Sequence, residues 1–162
     1  MALLPILRYP DPRLHTRAAP VREVDDTVRK LIADMAETMY EAPGIGLAAT
    51  QVDVHRRIVV IDVSEDKSAL LALINPEIIR ASRETMEMWD DCFSFPELMV
   101  RVRRHAEVTV QYLDERNQTQ TLIAQGDLSE LLQHEIDHLD GILATDRAID
   151  HRSLALRRVV RA

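Results

Sequence analysis

Two histidines four residues apart, with a glutamate directly after the first, could carry out chemistry with a metal ion. The segment reads His134-Glu135-Ile136-Asp137-His138. Residues four apart on a helix lie one turn above each other on the same face, so both imidazoles can reach one ion. Glu135 lies about 100° further round the helix, where its carboxylate can reach a metal-bound water without binding the ion. The pattern predicts a metal-dependent hydrolase.

The alternative interpretation is that these side chains belong to an ordinary solvated helix face. The helix favours the metal site, because its apolar residues recur at helical spacing and can hold ligands rigidly. Asp127 and Glu130 together resemble a capping box at its start, and Gly141 suits the position after its end. The apolar residues are Leu128, Leu131, Leu132, Ile136 and Leu139.

A catalytic site of this kind needs a third protein ligand, because such sites usually have three and leave a position for water. One candidate is Cys92, the only cysteine of the chain. A lone cysteine is more often a small buried hydrophobe than a ligand, but Asp90, Asp91 and Ser94 make an unusually polar setting for such a residue. The downstream candidates are Asp140, Asp146 and His151.

Composition limits the class of protein and its partners. With 162 residues, of which 46% are hydrophobic, the chain can bury a core, and we expect one domain over residues 1–162. The net charge of −7 disfavours phosphate backbones, so we expect a small or peptide substrate and no direct DNA binding. We find no signal peptide and no apolar run of roughly 20 residues that could span a membrane. A single cysteine fits a reducing cytoplasm.

Hydrophobic periodicity predicts one helix early in the chain and one late. The early helix is capped by Asp25 or Asp26, buries an apolar stripe on the core and ends before Pro43. The late helix is the one that carries the two histidines. The stripe of the early helix consists of Val28, Leu31, Ile32, Met35 and Met39.

Four segments between these helices have the composition of strands. Residues 57–63 are β-branched and nearly all apolar, as in a strand buried on both faces. An apolar segment from Ala69 to Ile74 is expected to stop at Asn75-Pro76, and residues 107–113 and 119–123 form a half-exposed hairpin. Strands with one core helix and one late helix predict the α+β class.

Three separated segments together resemble the signature motifs of the peptide deformylases. They are Gly44-Ile45-Gly46-Leu47-Ala48-Ala49-Thr50-Gln51, Asp90-Asp91-Cys92-Phe93-Ser94 and Gln133-His134-Glu135-Ile136-Asp137-His138. With lesser matches elsewhere, the resemblance covers residues 5–145. It implies a fold with antiparallel or mixed sheets around a central metal-binding helix. It also implies removal of the formyl group from N-formylmethionine on nascent peptides, releasing formate.

The resemblance also implies the ligands of the metal. Cys92, His134 and His138 are expected to bind one divalent ion, Fe²⁺ in the cell, with Zn²⁺ or another ion able to occupy the same site. Thiolate and imidazole ligands suit both iron and zinc. Such an ion lowers the pKa of bound water, and Glu135 is then the general base.

The remaining roles follow from the same resemblance. The Gln51 side-chain amide and the Phe93 backbone N–H are expected to stabilise the negative charge that develops on the formyl oxygen. The segment Gly44-Ile45-Gly46 is expected to pair its backbone with the substrate peptide, as in strand addition.

The middle motif departs from the usual family form, Glu-Gly-Cys-Leu-Ser, at three positions. Asp90 shortens a carboxylate that can pair with Arg104, Asp91 adds a charge where glycine is usual, and Phe93 brings a bulkier ring. A hydrolase of other N-acyl groups is therefore one alternative. A weakly active member that docks on the ribosome is another, through an arginine-rich C-terminal tail, residues 147–162.

Overall fold

The computed structural model describes residues 2–160, and Met1, Arg161 and Ala162 lie outside the described part. Two antiparallel sheets enclose a long helix. The first sheet has five strands in the order β1-β2-β3-β6-β7, and the second has three in the order β4-β5-β8. The strands are β1 (Gly46–Ala48), β2 (Ile58–Ile61), β3 (Leu71–Ala81), β4 (Thr85–Asp90), β5 (Leu98–His105), β6 (Glu107–Leu113), β7 (Thr119–Gln125) and β8 (Leu154–Leu156). The helices are α1 (Asp26–Glu41), α2 (Gly126–Leu139) and the short α3 (Arg157–Val160).

Helix α1 confirms the early helix predicted from the sequence. Asp25 is its N-cap, and the side chain accepts a hydrogen bond from the N–H of Val28 at 3.0 Å. The helix ends at Glu41, just before Pro43. Its buried stripe, which includes Ile32 and Met35, packs on the first sheet beneath β1 and β2.

Strand β3 shows that the expected stop at Asn75-Pro76 was wrong. The strand continues to Ala81 because the register with β6 shifts between Ile74 and Glu77, and Pro76 falls inside this irregularity. A bulge tolerates proline, since no ladder N–H is required there. Asn75 adopts a positive φ of 51°, and its side chain bonds both backbone groups of Val21 at 2.8 Å.

The other strand predictions agree with the structure to within a few residues. Strand β2 covers the fully buried centre of the segment predicted at 57–63. Strands β6 and β7 form the predicted hairpin, and β7 extends to Gln125.

The second sheet was not predicted. Its central strand, β5, alternates buried and exposed residues from Val100 onwards, but arginines stand at three of those positions and mask the pattern. Strand β8 pairs with β5, so the C-terminal tail forms a strand followed by a four-residue helix. Arg161 of that tail lies outside the described residues. Among the residues described, no helix is long and apolar enough to cross a membrane.

Helix α2 lies between the sheets and positions the chemistry. Leu132 and Leu139 are fully buried with Val59, Leu73 and Val110 of the first sheet, and the other side of the helix contacts β5. This arrangement confirms the α+β class with sheets around a central helix.

The end of α2 was predicted correctly and its start was not. Gly141 has a φ of 75°, and a Cβ there would lie 2.7 Å from the backbone of His15, so only glycine fits. The N-cap is Gln125, without a side-chain cap, so Asp127 and Glu130 do not form the expected capping box.

Leu132→Ala should lower the free energy of unfolding by about 2–5 kcal/mol, because the cavity would open in the middle of the core. Urea denaturation measures the change. Ile123→Ala on β7, where the side chain is 65% exposed, is the matched control and should leave stability nearly unchanged. Equal effects of the two substitutions would contradict the placement of α2.

Candidate metal centre

Cys92, His134 and His138 converge on one buried point. His134 and His138 come from successive turns of α2, and Cys92 comes from the turn between β4 and β5. The Cys92 Sγ lies 3.3 Å from Nε2 of His138, and the two Nε2 atoms lie 3.1 Å apart. The structure therefore places these three side chains together, and their role as metal ligands stays a prediction.

The donor separations fit a tetrahedral metal ion. Bonds of roughly 2.0–2.1 Å to nitrogen and 2.3 Å to sulfur, at tetrahedral angles, place donors roughly 3.3–3.6 Å apart. The observed separations of 3.1 and 3.3 Å are close to these values. One thiolate and two imidazoles are a donor set suited to zinc or iron.

The other candidate ligands lie elsewhere. Asp146 accepts a hydrogen bond from the N–H of Leu143 at 2.8 Å, and Asp140 lies 2.9 Å from Arg57. His151 is exposed. Within the described chain, the only other group of potential ligands is Asp90, Glu130 and His134, which shares a histidine with the first.

Asp90 fixes the orientation of His134. Its Oδ2 lies 2.7 Å from Nδ1 of His134 and 3.0 Å from the guanidinium of Arg104, which confirms the expected Asp90 pairing with Arg104. Arg104 also bonds Asp137 at 2.7 Å, and Asp90 and Arg104 are almost fully buried. A carboxylate on the outer ring nitrogen holds the inner nitrogen toward the metal position.

The network shifts the pKa values of its two acids, Asp90 and Glu130, in opposite directions. Burial raises the pKa of Asp90, but His134 and Arg104 outweigh this effect and hold it well below its usual range. Burial, reinforced by the charge on Asp90, raises the pKa of Glu130 to about 8. Glu130 therefore keeps its proton to a higher pH than an ordinary glutamate, because it lies buried beside the carboxylate of Asp90. It belongs to this network, 3.9 Å from Arg104, and not to a helix cap.

Glu135 lies beside the donors against Gly46. It is almost fully buried, and burial raises its pKa to about 7. Its Oε1 has no hydrogen-bond partner among the described residues. A Cβ at Gly46 would lie 2.6 Å from Oε2 of Glu135 and 2.8 Å from Leu131, so the glycine leaves room for the carboxylate. A buried carboxylate with a near-neutral pKa suits a proton acceptor.

Gln51 reaches the centre from the 3₁₀ turn Ala49–Val52. Its Oε1 accepts a hydrogen bond from the N–H of Ala48 at 3.0 Å, which fixes the orientation of the amide. Its Nε2 then faces Cys92 Sγ and Ser94 Oγ, both at 3.3 Å. The amide donor is therefore buried and aimed at the metal centre.

The segment Gly44-Ile45-Gly46 runs along the open edge of the first sheet. Gly46 begins β1, which has β2 as its single neighbour in the sheet. The ring of Phe93 lies on Gly44, where a Cβ would be only 1.7 Å from Cζ. Ile45 is largely exposed, and its carbonyl accepts a hydrogen bond from the backbone N–H of Asp62 at 2.9 Å. The structure thus brings all three residues to the edge of the centre.

Two parts of the site were missed by sequence reasoning. They are Glu130 and Asp137, the two further carboxyl groups that lie beside Arg104. In the sequence, only the position of Arg104 indicates that such partners exist. It stands in β5 on the buried side, two residues after Val102, where an apolar residue is expected. A buried cation requires nearby carboxylates.

Comparison with known proteins identifies the family of the chain. A family model described as polypeptide deformylase matches residues 3–153. The chain belongs to the peptide deformylase family.

Relatives of this deformylase match over most of their length. It is 56% identical to peptide deformylase 1 of Ralstonia nicotianae over 142 residues, which cover 87% of this chain and 83% of the relative. It is 55% identical to the peptide deformylase of Nitrosococcus oceani over 90% of this chain and 87% of the relative. The crystal structure of peptide deformylase from Thermotoga maritima aligns with a TM-score of 0.88 at 37% sequence identity. The alignment covers 93% of this chain and 100% of the Thermotoga chain. The family is metal-dependent, which agrees with the Cys-His-His group.

Arg104→Gln should destabilise the deformylase by about 3–5 kcal/mol, because Asp90 and Asp137 would lose the buried cation that compensates them. Chemical denaturation measures the loss. Arg103→Gln, on the same strand but with a side chain 56% exposed, is the matched control and should cost less than about 1 kcal/mol. A stable Arg104 variant would show that the network does not hold the site together.

Proposed function

We propose that Cys92, His134 and His138 bind one divalent metal ion, and that Glu135 moves the proton during hydrolysis of N-formylmethionyl peptides to formate. The observation that carries the proposal is a buried Cys-His-His donor set beside a buried carboxylate oxygen without a partner among the described residues. In a chain of the peptide deformylase family, both features meet the needs of amide hydrolysis.

Cys92, His134 and His138 would hold the metal, which would supply Lewis-acid chemistry by polarising a water molecule and a carbonyl oxygen. Fe²⁺ is the ion that we propose for the cell, and the donors also suit Zn²⁺ or another divalent ion. Asp90 and Arg104 contribute by keeping the inner nitrogen of His134 directed at the ion.

Glu135 accepts the proton of the attacking water and later delivers it to the leaving amine. A pKa near neutrality suits both steps, because the group must gain and then lose the same proton. Negative charge on the formyl oxygen would be met by the Gln51 Nε2–H and by the backbone N–H of Phe93. The fixed orientation of the Gln51 amide means that this donor needs no rearrangement.

The substrate peptide would bind as an added strand along Gly44, Ile45 and Gly46. Strand β1 leaves one edge unpaired in the described sheet, and backbone hydrogen bonds along this edge do not depend on the peptide sequence. The first residue of the peptide is then beside Glu135 and the donors. We place this reaction on nascent chains, and hence in the cytoplasm.

The close packing around the donors favours a formyl group over larger acyl groups. Gln51 Nε2 lies 3.3 Å from Cys92 Sγ and Glu135 lies against Gly46, and we place the reacting carbon between these closely packed side chains. A methyl group in place of the formyl hydrogen would have to displace one of these side chains.

Glu135→Gln should reduce formate release from a formyl-Met peptide by about 10²–10⁴-fold, because the amide cannot accept the proton. The assay uses anaerobic, iron-loaded protein, with metal content measured as the control for intact ligands. Equal activity of the variant and the wild type would contradict the role of Glu135. Release of acetate from acetyl-Met peptide at a comparable rate would instead identify a broader N-acyl hydrolase.

Gly46→Ala should lower kcat on the order of 10²-fold, because the new Cβ would push the Glu135 carboxylate out of place. Metal content should stay at the wild-type level, since the substitution touches none of the three ligands. Steady-state kinetics and metal analysis measure the two quantities. Wild-type kcat in this variant would show that the position of Glu135 is not critical.

A further inference from the structure

The residue before Cys92 is tied to the C-terminal segment of the chain. Asp91 stands where the family motif usually has glycine, and its Oδ2 lies 2.8 Å from Nη1 of Arg157. The backbone N–H of Arg157 donates to the carbonyl of Glu97 at 2.8 Å. One residue of the C-terminal segment therefore contacts the turn on both sides of Cys92.

We propose that the ion pair between Asp91 and Arg157 is a clasp that keeps the Cys92 turn closed, which makes Arg157 a positioning residue. Strand β8 presents this arginine, because Leu156 pairs with Leu98 at the start of β5 and fixes the residue that follows. The inference rests on the proposed function, since holding Cys92 in place matters if Cys92 binds the metal.

The clasp compensates the negative charge that Asp91 introduces. An aspartate in place of glycine brings a carboxylate next to the cysteine, and the guanidinium neutralises it at hydrogen-bond distance. Both side chains are partly exposed, at 40% for Arg157 and 33% for Asp91. The ion pair therefore makes opening of the turn only modestly less favourable, and the fold does not depend on it.

The other arm of the turn is held independently by the N-terminal segment. Arg8 donates a hydrogen bond to the carbonyl of Phe93, and the N–H of Tyr9 donates to the carbonyl of Ser94 at 2.7 Å. Loss of the clasp should therefore loosen the side of Asp91 and leave the side of Ser94 in place. This makes the effect local to Cys92.

The single thiol of the chain gives a direct test. Cys92 is largely buried, so opening of the turn should raise the rate at which neutral iodoacetamide alkylates the metal-stripped full chain. Arg157→Gln and Asp91→Asn should each accelerate alkylation roughly two- to fivefold. The double variant should react no faster than the faster single variant, and Arg158→Gln, at the exposed neighbouring arginine, should react at the wild-type rate.

Arg157→Gln is the decisive variant. This variant keeps the Asp91 carboxylate beside Cys92 and removes only its partner, so acceleration reports opening of the turn. In the metal-loaded enzyme the same variant should lower kcat by a similar factor and leave KM unchanged.

Alkylation of Arg157→Gln at the wild-type rate, or fully multiplicative effects in the double variant, would overturn the clasp. Absence of formate release from the wild type would overturn the proposed function, while the alkylation rates would still decide the clasp.

Discussion

The site depends on one buried carboxylate, that of Asp90, which is shared between a histidine and an arginine. Oδ2 of Asp90 lies 2.7 Å from Nδ1 of His134 and 3.0 Å from the guanidinium of Arg104. The two contacts depend on each other. Without Arg104, a buried charge on Asp90 would be costly, and without Asp90 the ring of His134 would lose its orientation. The network also links the metal position on α2 to the second sheet, because Asp90 ends β4 and Arg104 lies in β5.

The two sheets serve different purposes around α2. The first sheet buries the apolar side of the helix and supplies Gly46 on its edge strand, and the 3₁₀ turn that follows this strand supplies Gln51. The second sheet supplies the Cys92 turn and the charged side of the network. The donors belong to elements far apart in sequence, so the geometry of the centre depends on the packing of both sheets against one helix.

Much of the site was predictable because its residues fall in three short segments, each of which has a recognisable local pattern although the segments are far apart in the chain. The spacing of His134 and His138 on a helix is fixed by helical geometry. The resemblance of the residues around Cys92 and Gln51 to family motifs favoured Cys92 as the third candidate ligand. The resemblance could not reveal that Glu130 lies beside Arg104 in the folded chain. Local sequence favoured a helix cap, and the buried cation of Arg104 determined the outcome instead.

Physical reasons explain why some parts of the fold could not be predicted from the sequence. Strand β5 carries arginines on both faces, so its alternation is hidden in a sequence where charge normally indicates exposure. Strand β3 passes through Asn75-Pro76 because a register shift removes the need for an N–H at the proline. The ion pair of Asp91 and Arg157 joins residues far apart in the chain, so no local pattern could predict it.

One thiolate and two imidazoles are the metal ligands that we propose. X-ray absorption spectroscopy of the wild-type protein, loaded anaerobically with iron or with zinc, measures the atoms bound to the ion. We expect one sulfur scatterer at about 2.3 Å and two imidazole nitrogens at about 2.0–2.1 Å. A coordination shell without sulfur would contradict the assignment of Cys92 and, with it, the arrangement of the whole centre.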